Sequence, residues 1–218
     1  MQFLELLEFI SAQCFRPIAS DDNPLFNKVG LKVSEVSNGA INRKLFEDHK
    51  FEAVCGVYQK MDKCIIKCGY FPQKHILEAA FKPFEYMCKT RYDDFLEAVP
   101  CYQKASDKVE AKCDKQCGGS TFVRDQIKEM EKAQVTGDIQ KLLDIMDKLC
   151  KHMACSTQCE MPVYDEVCGS EEAGKLLEDL VGFSMSVSKN LMKQSGVGYM
   201  FPDSCNQLAT EPDDSNHV

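Results

Sequence analysis

Much that would announce a function is missing from this chain. No run of roughly eighteen uncharged apolar residues occurs, so the sequence predicts no transmembrane segment. Positive charge is scarce: 26 Lys and Arg against 34 Asp and Glu leave a net charge of −8. That balance argues against nucleic acid and anionic membranes as partners. No Gly-x-Ser-x-Gly, phosphate loop or dinucleotide fingerprint is present. The four histidines, His49, His75, His152 and His217, have no partner at a recognisable catalytic spacing. Secreted phospholipases need a His-Asp pair beside consecutive cysteines and a Gly-rich calcium loop; here Asp48-His49 precedes the nearest cysteine by several residues and Gly118-Gly119 stands alone. Neither catalysis nor a cofactor is expected. Asn-x-Ser/Thr is absent too, which says nothing about secretion.

Cysteine, by contrast, is abundant, with 13 in 218 residues. Reducing compartments deny so many thiols any use as staples, so a disulfide framework formed in an oxidising compartment is expected. The alternative is a set of buried free thiols acting as small hydrophobes, against which the regular spacing argues. The expected framework is Cys55, Cys64, Cys68, Cys88, Cys101, Cys113, Cys117, Cys150, Cys155, Cys159, Cys168 and Cys205. Thirteen is odd, so at least one thiol is free or pairs with another chain, and Cys14, far upstream of the regular spacings, is the candidate. Cys64-x3-Cys68, Cys113-x3-Cys117 and Cys155-x3-Cys159 each close a helical pattern. Such a pair puts two sulfurs on one face a turn apart, from which each can reach a different neighbouring element. Connectivity is not legible from spacing. Helical hairpins of the mitochondrial intermembrane space also use paired Cys-x3-Cys motifs, a short helix-turn-helix apart, whereas 44 and 37 residues separate successive pairs here. Cys150-x-His152-x2-Cys155-x3-Cys159 lacks the Cys-x2-Cys knuckle typical of structural zinc, so no metal is expected.

With 44% hydrophobic and 28% charged residues the composition is that of a folded protein. Phe3, Leu6, Leu7, Ile10 and Cys14 share a helix face, and Glu5 and Glu8 interrupt the apolar run, so the start reads as an amphipathic helix better than as a signal peptide. Residues 15–38 read as a loop. A helix is expected from Arg43 to Cys68, buried through Phe51, Val54, Cys55, Tyr58, Met61 and Ile65, with Gly69 past its end. Pro72 opens the next helix and Pro83 must kink or break it. From Phe84 to Gly119 two helical patterns join at Pro100, with apolar positions at Phe84, Met87, Cys88, Tyr92, Phe95 and Leu96, then at Tyr102, Ala105, Val109 and Cys113. Ser120 or Thr121 can cap a helix carrying Phe122, Ile127 and Met130. Thr136-Gly137-Asp138 breaks it and recaps a helix with Ile139, Leu142, Leu143, Ile145, Met146 and Leu149, ended by Met161-Pro162. Ser170 can cap the last long helix, from Glu171 to about Gln194, buried through Leu176, Leu177, Leu180, Phe183, Val187 and Leu191. The tail after Cys205 is polar and acidic and reads as disordered. The fold class expected is all-α: about six or seven disulfide-stapled helices and no sheet. The segments are residues 1–42, an N-terminal helix and loop; 43–205, the cysteine-rich helical domain; and 206–218, the acidic tail.

The order Cys55-x8-Cys64-x3-Cys68, FEYMC ending at Cys88, DDFLEAVPC ending at Cys101 and Cys113-x3-Cys117 resembles the nematode chondroitin proteoglycan 4 domain. The later part, Cys155-x3-Cys159, then Tyr164 to Gly169, a Leu-rich helix and Pro202-x2-Cys205, is similar to the rest of such cysteine-rich secreted proteins, so the resemblance covers about residues 45 to 205. It implies a secreted, all-helical, disulfide-bonded protein without known catalysis. Its founding member carries chondroitin chains, but attachment needs Ser-Gly beside acidic residues, and Ser195-Gly196 has only Lys193 nearby and no close acid. The function expected is structural or interaction work outside the cell, with a protein or glycan partner. The competing expectation is a carrier of lipid or another hydrophobic ligand, for which Met87, Met130, Met146, Met153, Met185 and Met192 offer an adaptable lining; Met at helical spacing more often fills core.

Overall fold

The structure of the chain, a computed structural model, describes residues 43–46, 49–67 and 74–209. The expectations for residues 1–42, for Cys68, Gly69 and Pro72, and for the tail beyond Ala209 lie outside these residues. The described residues are all-α, as the sequence predicts, with no strand. After a 3-10 turn, Arg43–Phe46, come α1 (Lys50–Lys67), α2 (Lys74–Glu85, prolonged by a π-helical turn, Tyr86–Thr90) and α3 (Tyr92–Val109). A second π-helical turn, Glu110–Asp114, leads through Lys115–Cys117 to α4 (Gly119–Thr136), α5 (Ile139–Cys168) and α6 (Glu172–Gln194), and a short α7 (Asp203–Asn206) closes the set. The chain clusters into two compact units, divided within α3 between Val99 and Pro100.

The first unit is built on aromatic packing. All six residues of the expected α1 stripe, Phe51, Val54, Cys55, Tyr58, Met61 and Ile65, are buried. Phe51 stacks on Phe46, Tyr92 and Phe95 with ring centroids 5.7–6.1 Å apart, and Tyr58 lies 6.3 Å from Phe84. Cys55 of α1 bonds Cys88 in the π-helical turn after α2, with Cα atoms 5.2 Å apart. Lys89 in the same turn lies 5.4 Å from the centre of the Tyr58 ring and bonds Asp62 at 2.9 Å. Leu96, placed with the buried set by its spacing, faces solvent.

In the second unit α5 is the hub, packing against α4, α6 and α7. Gly118 and Gly119 both have positive φ, 99° and 55°, and join α3's extension to α4 without a loop. A side chain at Gly119 is not tolerated, since a Cβ there would meet the Asp114 side chain at 2.7 Å. This replaces the expected capping by Ser120 or Thr121: the residue before α4 is Gly118, with no side-chain cap. Before α6 stands Glu171, not Ser170, again without a side-chain cap. The Asp138 cap holds, its Oδ1 accepting from the Lys141 N–H at 3.0 Å beside Gly137 at φ 68°.

Three prolines sit inside helices: the sequence joins two patterns at Pro100, ends one at Met161-Pro162 and expects a kink or break at Pro83. α2 passes Pro83, α3 passes Pro100 and α5 passes Pro162 without ending. A proline in a helix interior costs about 3 kcal/mol through a lost N–H bond and a clash with the preceding turn. Tertiary bonds offset that cost here. Cys101 and Cys168 tie the residues beside Pro100 to the end of α5, and Cys159, Val163 and Tyr164 are buried around Pro162.

Phe95 is fully buried among the stacked rings of the first unit. Phe95→Ala is expected to lower the unfolding free energy by about 3–5 kcal/mol in guanidinium titration. A loss under about 1 kcal/mol would mean that the aromatic stack is not that unit's core.

Candidate functional site

The residues singled out by the sequence are the cysteines, and their arrangement is the most constrained chemistry in the chain. Beyond Cys55–Cys88, four disulfides lie in the second unit. Cys101 pairs with Cys168, Cys113 with Cys159, Cys117 with Cys155, and Cys150 with Cys205, at Cα separations of 5.5, 5.7, 5.7 and 5.0 Å. Cys64 lies in α1 with its side chain outside the described residues, as are Cys68 and Cys14 altogether.

Three of the bonds are concentric. Residues 101, 113 and 117 run down α3 and its extension while their partners 168, 159 and 155 run up α5 in reverse order, so the two helical runs lie antiparallel. The expectation for a Cys-x3-Cys pair was that each sulfur can reach a different element. Here both sulfurs of Cys113-x3-Cys117 reach the same helix, meeting both sulfurs of Cys155-x3-Cys159. Two bonds a turn apart fix the rotation and the axial position of one helix against the other, which a single bond leaves partly free. This is the double staple of a helical hairpin, with α4 inserted between its arms. The long sequence gap had argued against that arrangement, because spacing cannot reveal that α4 folds back along α5.

His152 packs against the staple. Its Nδ1 lies 2.8 Å from the Cys117 carbonyl oxygen, and its ring lies 4.8 Å from Phe122. A carbonyl only accepts, so Nδ1 carries the proton. The neighbouring sulfurs of Cys150, Cys155 and Cys159 are all in disulfides. His49 is exposed at φ 61°, 3.6 Å from Glu52, and His75 is exposed on α2.

The turn between α5 and α6 holds a polar cluster that the sequence did not suggest. Tyr102 Oη donates to the Ala173 carbonyl at 2.8 Å, and its ring meets Tyr164 edge-on at 5.0 Å. Burial pushes the Tyr102 phenol far above its ordinary range. Beside it Gly174 lets α6 approach α5 closely, since a Cβ there would meet Asp165 Oδ1 at 2.6 Å and the Met161 carbonyl at 3.1 Å. Asp165 Oδ1 is buried without a hydrogen-bond partner. Burial, then the Glu171 charge, raises the Asp165 pKa, with a bond from the Gly174 N–H opposing them.

Two open clefts lie in the second unit. One of about 470 Å3 runs over the staple between Gln116, Gln158, Ser204 and Gln207. The other, about 700 Å3, is lined by Asp107, Glu110, Asp114 and the residues entering α4. Of the six candidate ligand-lining methionines, Met87 is buried in the first unit, while Met185 and Met192 pack on Cys150, Phe201 and Cys205. Ser195 is exposed where α6 ends, followed by Gly196 at φ 76°. Among the described residues no helix is long and apolar enough to cross a membrane.

The model of a family described as "Uncharacterized protein B0403.3" matches residues 44–218. No curated protein and no solved structure matches the chain.

Two outcomes follow from this geometry. With one staple bond closed, the other closes a further loop of only about ten residues, so removing Cys113–Cys159 or Cys117–Cys155 alone, by paired Cys→Ser changes, is expected to cost about 2–3 kcal/mol. Removing both is expected to cost more than the sum, since the α4 excursion is then enclosed only by the wider Cys101–Cys168 loop; additive losses in denaturant titration would refute the concentric arrangement. Asp165 gives a pH signature. A carboxyl whose folded pKa is raised contributes fully below its unfolded value and loses that contribution as pH rises through the folded one. Asp165→Asn is therefore expected to unfold later than the parent at neutral pH, with the gain shrinking toward about pH 3–4. A pH-independent difference would contradict this.

Proposed function

Because the chain belongs to the family described as uncharacterized protein B0403.3, a description that names no activity, we propose a function from the framework itself. The protein is secreted and works outside the cell as a rigid helical structural or binding module, without catalysis. The observation that carries this reading is the set of five disulfides within the described residues. Such a set has little use in a reducing compartment and suits an oxidising one.

Supporting points come from the side chains that could otherwise do chemistry. His152 is held on a backbone carbonyl and Tyr102 on another. Asp147 accepts from Ser204 at 2.8 Å and pairs with Lys151 at 2.7 Å, which anchors α7 beside the Cys150–Cys205 bond. The resemblance of the cysteine spacing to the chondroitin proteoglycan 4 domain supports the same reading, with a protein or glycan as partner. Ser195 is not assigned a glycosaminoglycan, since no acidic residue stands close to it in sequence. A hydrophobic-ligand carrier is disfavoured by the open form of the two clefts, with their mixed polar and apolar lining, and by the packing of Met185 and Met192 into a core cluster.

Protein collected from the secretory pathway of eukaryotic cells is expected to weigh at least about 10 Da less than its reduced form, at about 2 Da per bond. It is also expected to carry no lipid-sized mass under native conditions. Free thiols throughout would remove the oxidising-compartment reading, and a bound lipid that leaves on denaturation would replace the module with a carrier.

A further inference from the structure

The five described disulfides differ in how open they are to solvent. Cys55–Cys88, Cys113–Cys159 and Cys150–Cys205 join cysteines that are all buried. Cys101–Cys168 and Cys117–Cys155 join half-buried ones. A disulfide exchanges only when a thiolate can reach one of its sulfurs, so access decides which bonds take part. Cys155 lines the cleft of about 470 Å3 that runs over the staple. Cys101 and Cys168 line neither of the two clefts. A cleft of that size has room for a small peptide thiol.

Charge separates the two half-buried bonds. Around Cys168 the sequence places Asp165, Glu166, Glu171 and Glu172, with no Lys or Arg among residues 163–173. Lys108 pairs with Glu166 at 2.6 Å and offsets one of the four. An incoming thiolate is an anion and is repelled by such a cluster. The cleft on Cys155 is lined instead by Lys151 and by the uncharged Gln116, Gln158, Ser204 and Gln207, with no carboxylate. Lys151 is itself paired with Asp147 at 2.7 Å, so the approach to Cys155 is close to neutral.

We propose that Cys117–Cys155 is a thiol-exchange site, attacked through this cleft at Cys155 Sγ by a thiol or dithiol reductant. The attacking thiolate bonds to Cys155 Sγ. The Cys117–Cys155 bond breaks, and its electron pair leaves on Cys117 as a thiolate that takes a proton from water. A monothiol stops there, as a mixed disulfide on Cys155. With a dithiol the second thiolate displaces Cys155, which leaves both cysteines reduced and the reductant oxidised to a disulfide. Cys113–Cys159 and Cys101–Cys168 stay closed, so α3 and α5 remain joined. What exchange releases is the root of α4. Cys117 directly precedes Gly118 and Gly119, the two positive-φ residues that lead into that helix. Without the bond this root is held to α5 by noncovalent contacts, among them the His152 bond to the Cys117 carbonyl and the Phe122–His152 ring contact. The proposal goes beyond the module reading, because it singles out one bond of the framework and gives it a reaction.

The test is partial reduction of the full oxidised chain with glutathione and, in parallel, with dithiothreitol, trapped by alkylation and mapped by mass spectrometry. Cys117 and Cys155 are expected to open at least about tenfold faster than any other described pair, with circular dichroism unchanged. With glutathione, the adduct is expected on Cys155 and the alkylating group on Cys117. Gln158→Glu puts a carboxylate on the cleft wall at an exposed position. It is expected to slow the glutathione reaction about two- to threefold at low salt. Earlier opening of Cys101–Cys168, or opening of all the bonds together, would overturn the proposal. Glutathione found on Cys117, or a rate indifferent to Gln158→Glu, would overturn it as well. Each of these outcomes leaves the secreted-module reading standing. Free thiols throughout the protein before any reductant is added would remove both.

Discussion

The second unit depends on one constraint, the double staple between the end of α3 and the middle of α5. Two disulfides a helical turn apart define a line of contact, not a point, so α5 can neither slide nor roll against its partner. Everything that follows in the chain is placed relative to that line. The α4 excursion returns to α5 at Asp138, α6 turns back over it past Gly174, and α7 is tied to it by Cys150–Cys205 and by Ser204 on Asp147. The staple also explains why α5 can carry Pro162. A helix held covalently at 159 and 168 does not need every backbone bond of its own to persist, and the proline's cost is met by tertiary structure.

How much of this is legible in the sequence follows from which forces are local. The all-α class is legible because apolar residues at helical spacing mark the buried face of α1 residue by residue. The Asp138 cap is legible because capping needs only a side chain and an N–H three residues on. Helix ends at Pro100 and Pro162 are misread because the local penalty is real but smaller than the tertiary gain. Leu96 is misread because periodicity shows which residues could face a core and not how wide that core is. The starts of α4 and α6 are misread for a third reason: each begins one or more residues from the expected cap, after Gly118 and Glu171, with no side-chain cap at either.

The candidate site was legible only in its residue types. Cysteine spacing says that helix ends are pinned, but the partner of each sulfur depends on the path of the chain between them. The insertion of α4 makes a short-range hairpin staple look long-range in sequence. The Tyr102, Asp165 and Gly174 cluster carries no sequence signal, because the Tyr102 bond joins residues 71 apart and the buried carboxyl oxygen and close helix approach come from how α6 packs back on α5.

The two units balance covalent and packing stability differently. The first has stacked Phe46, Phe51, Tyr92 and Phe95 beside one described disulfide. The second has four disulfides, and its long helices carry rows of half-buried residues, as from Phe183 to Ser188 of α6. Half-burial yields less hydrophobic free energy per side chain than a full core, and cross-links that lower the entropy of the unfolded chain compensate for it. A helical scaffold stabilised this way can leave apolar side chains near its surface without unfolding. That is the condition under which such a fold can present a face to something else, and the hairpin of α4 and α5 is one place where the second unit leaves apolar side chains exposed.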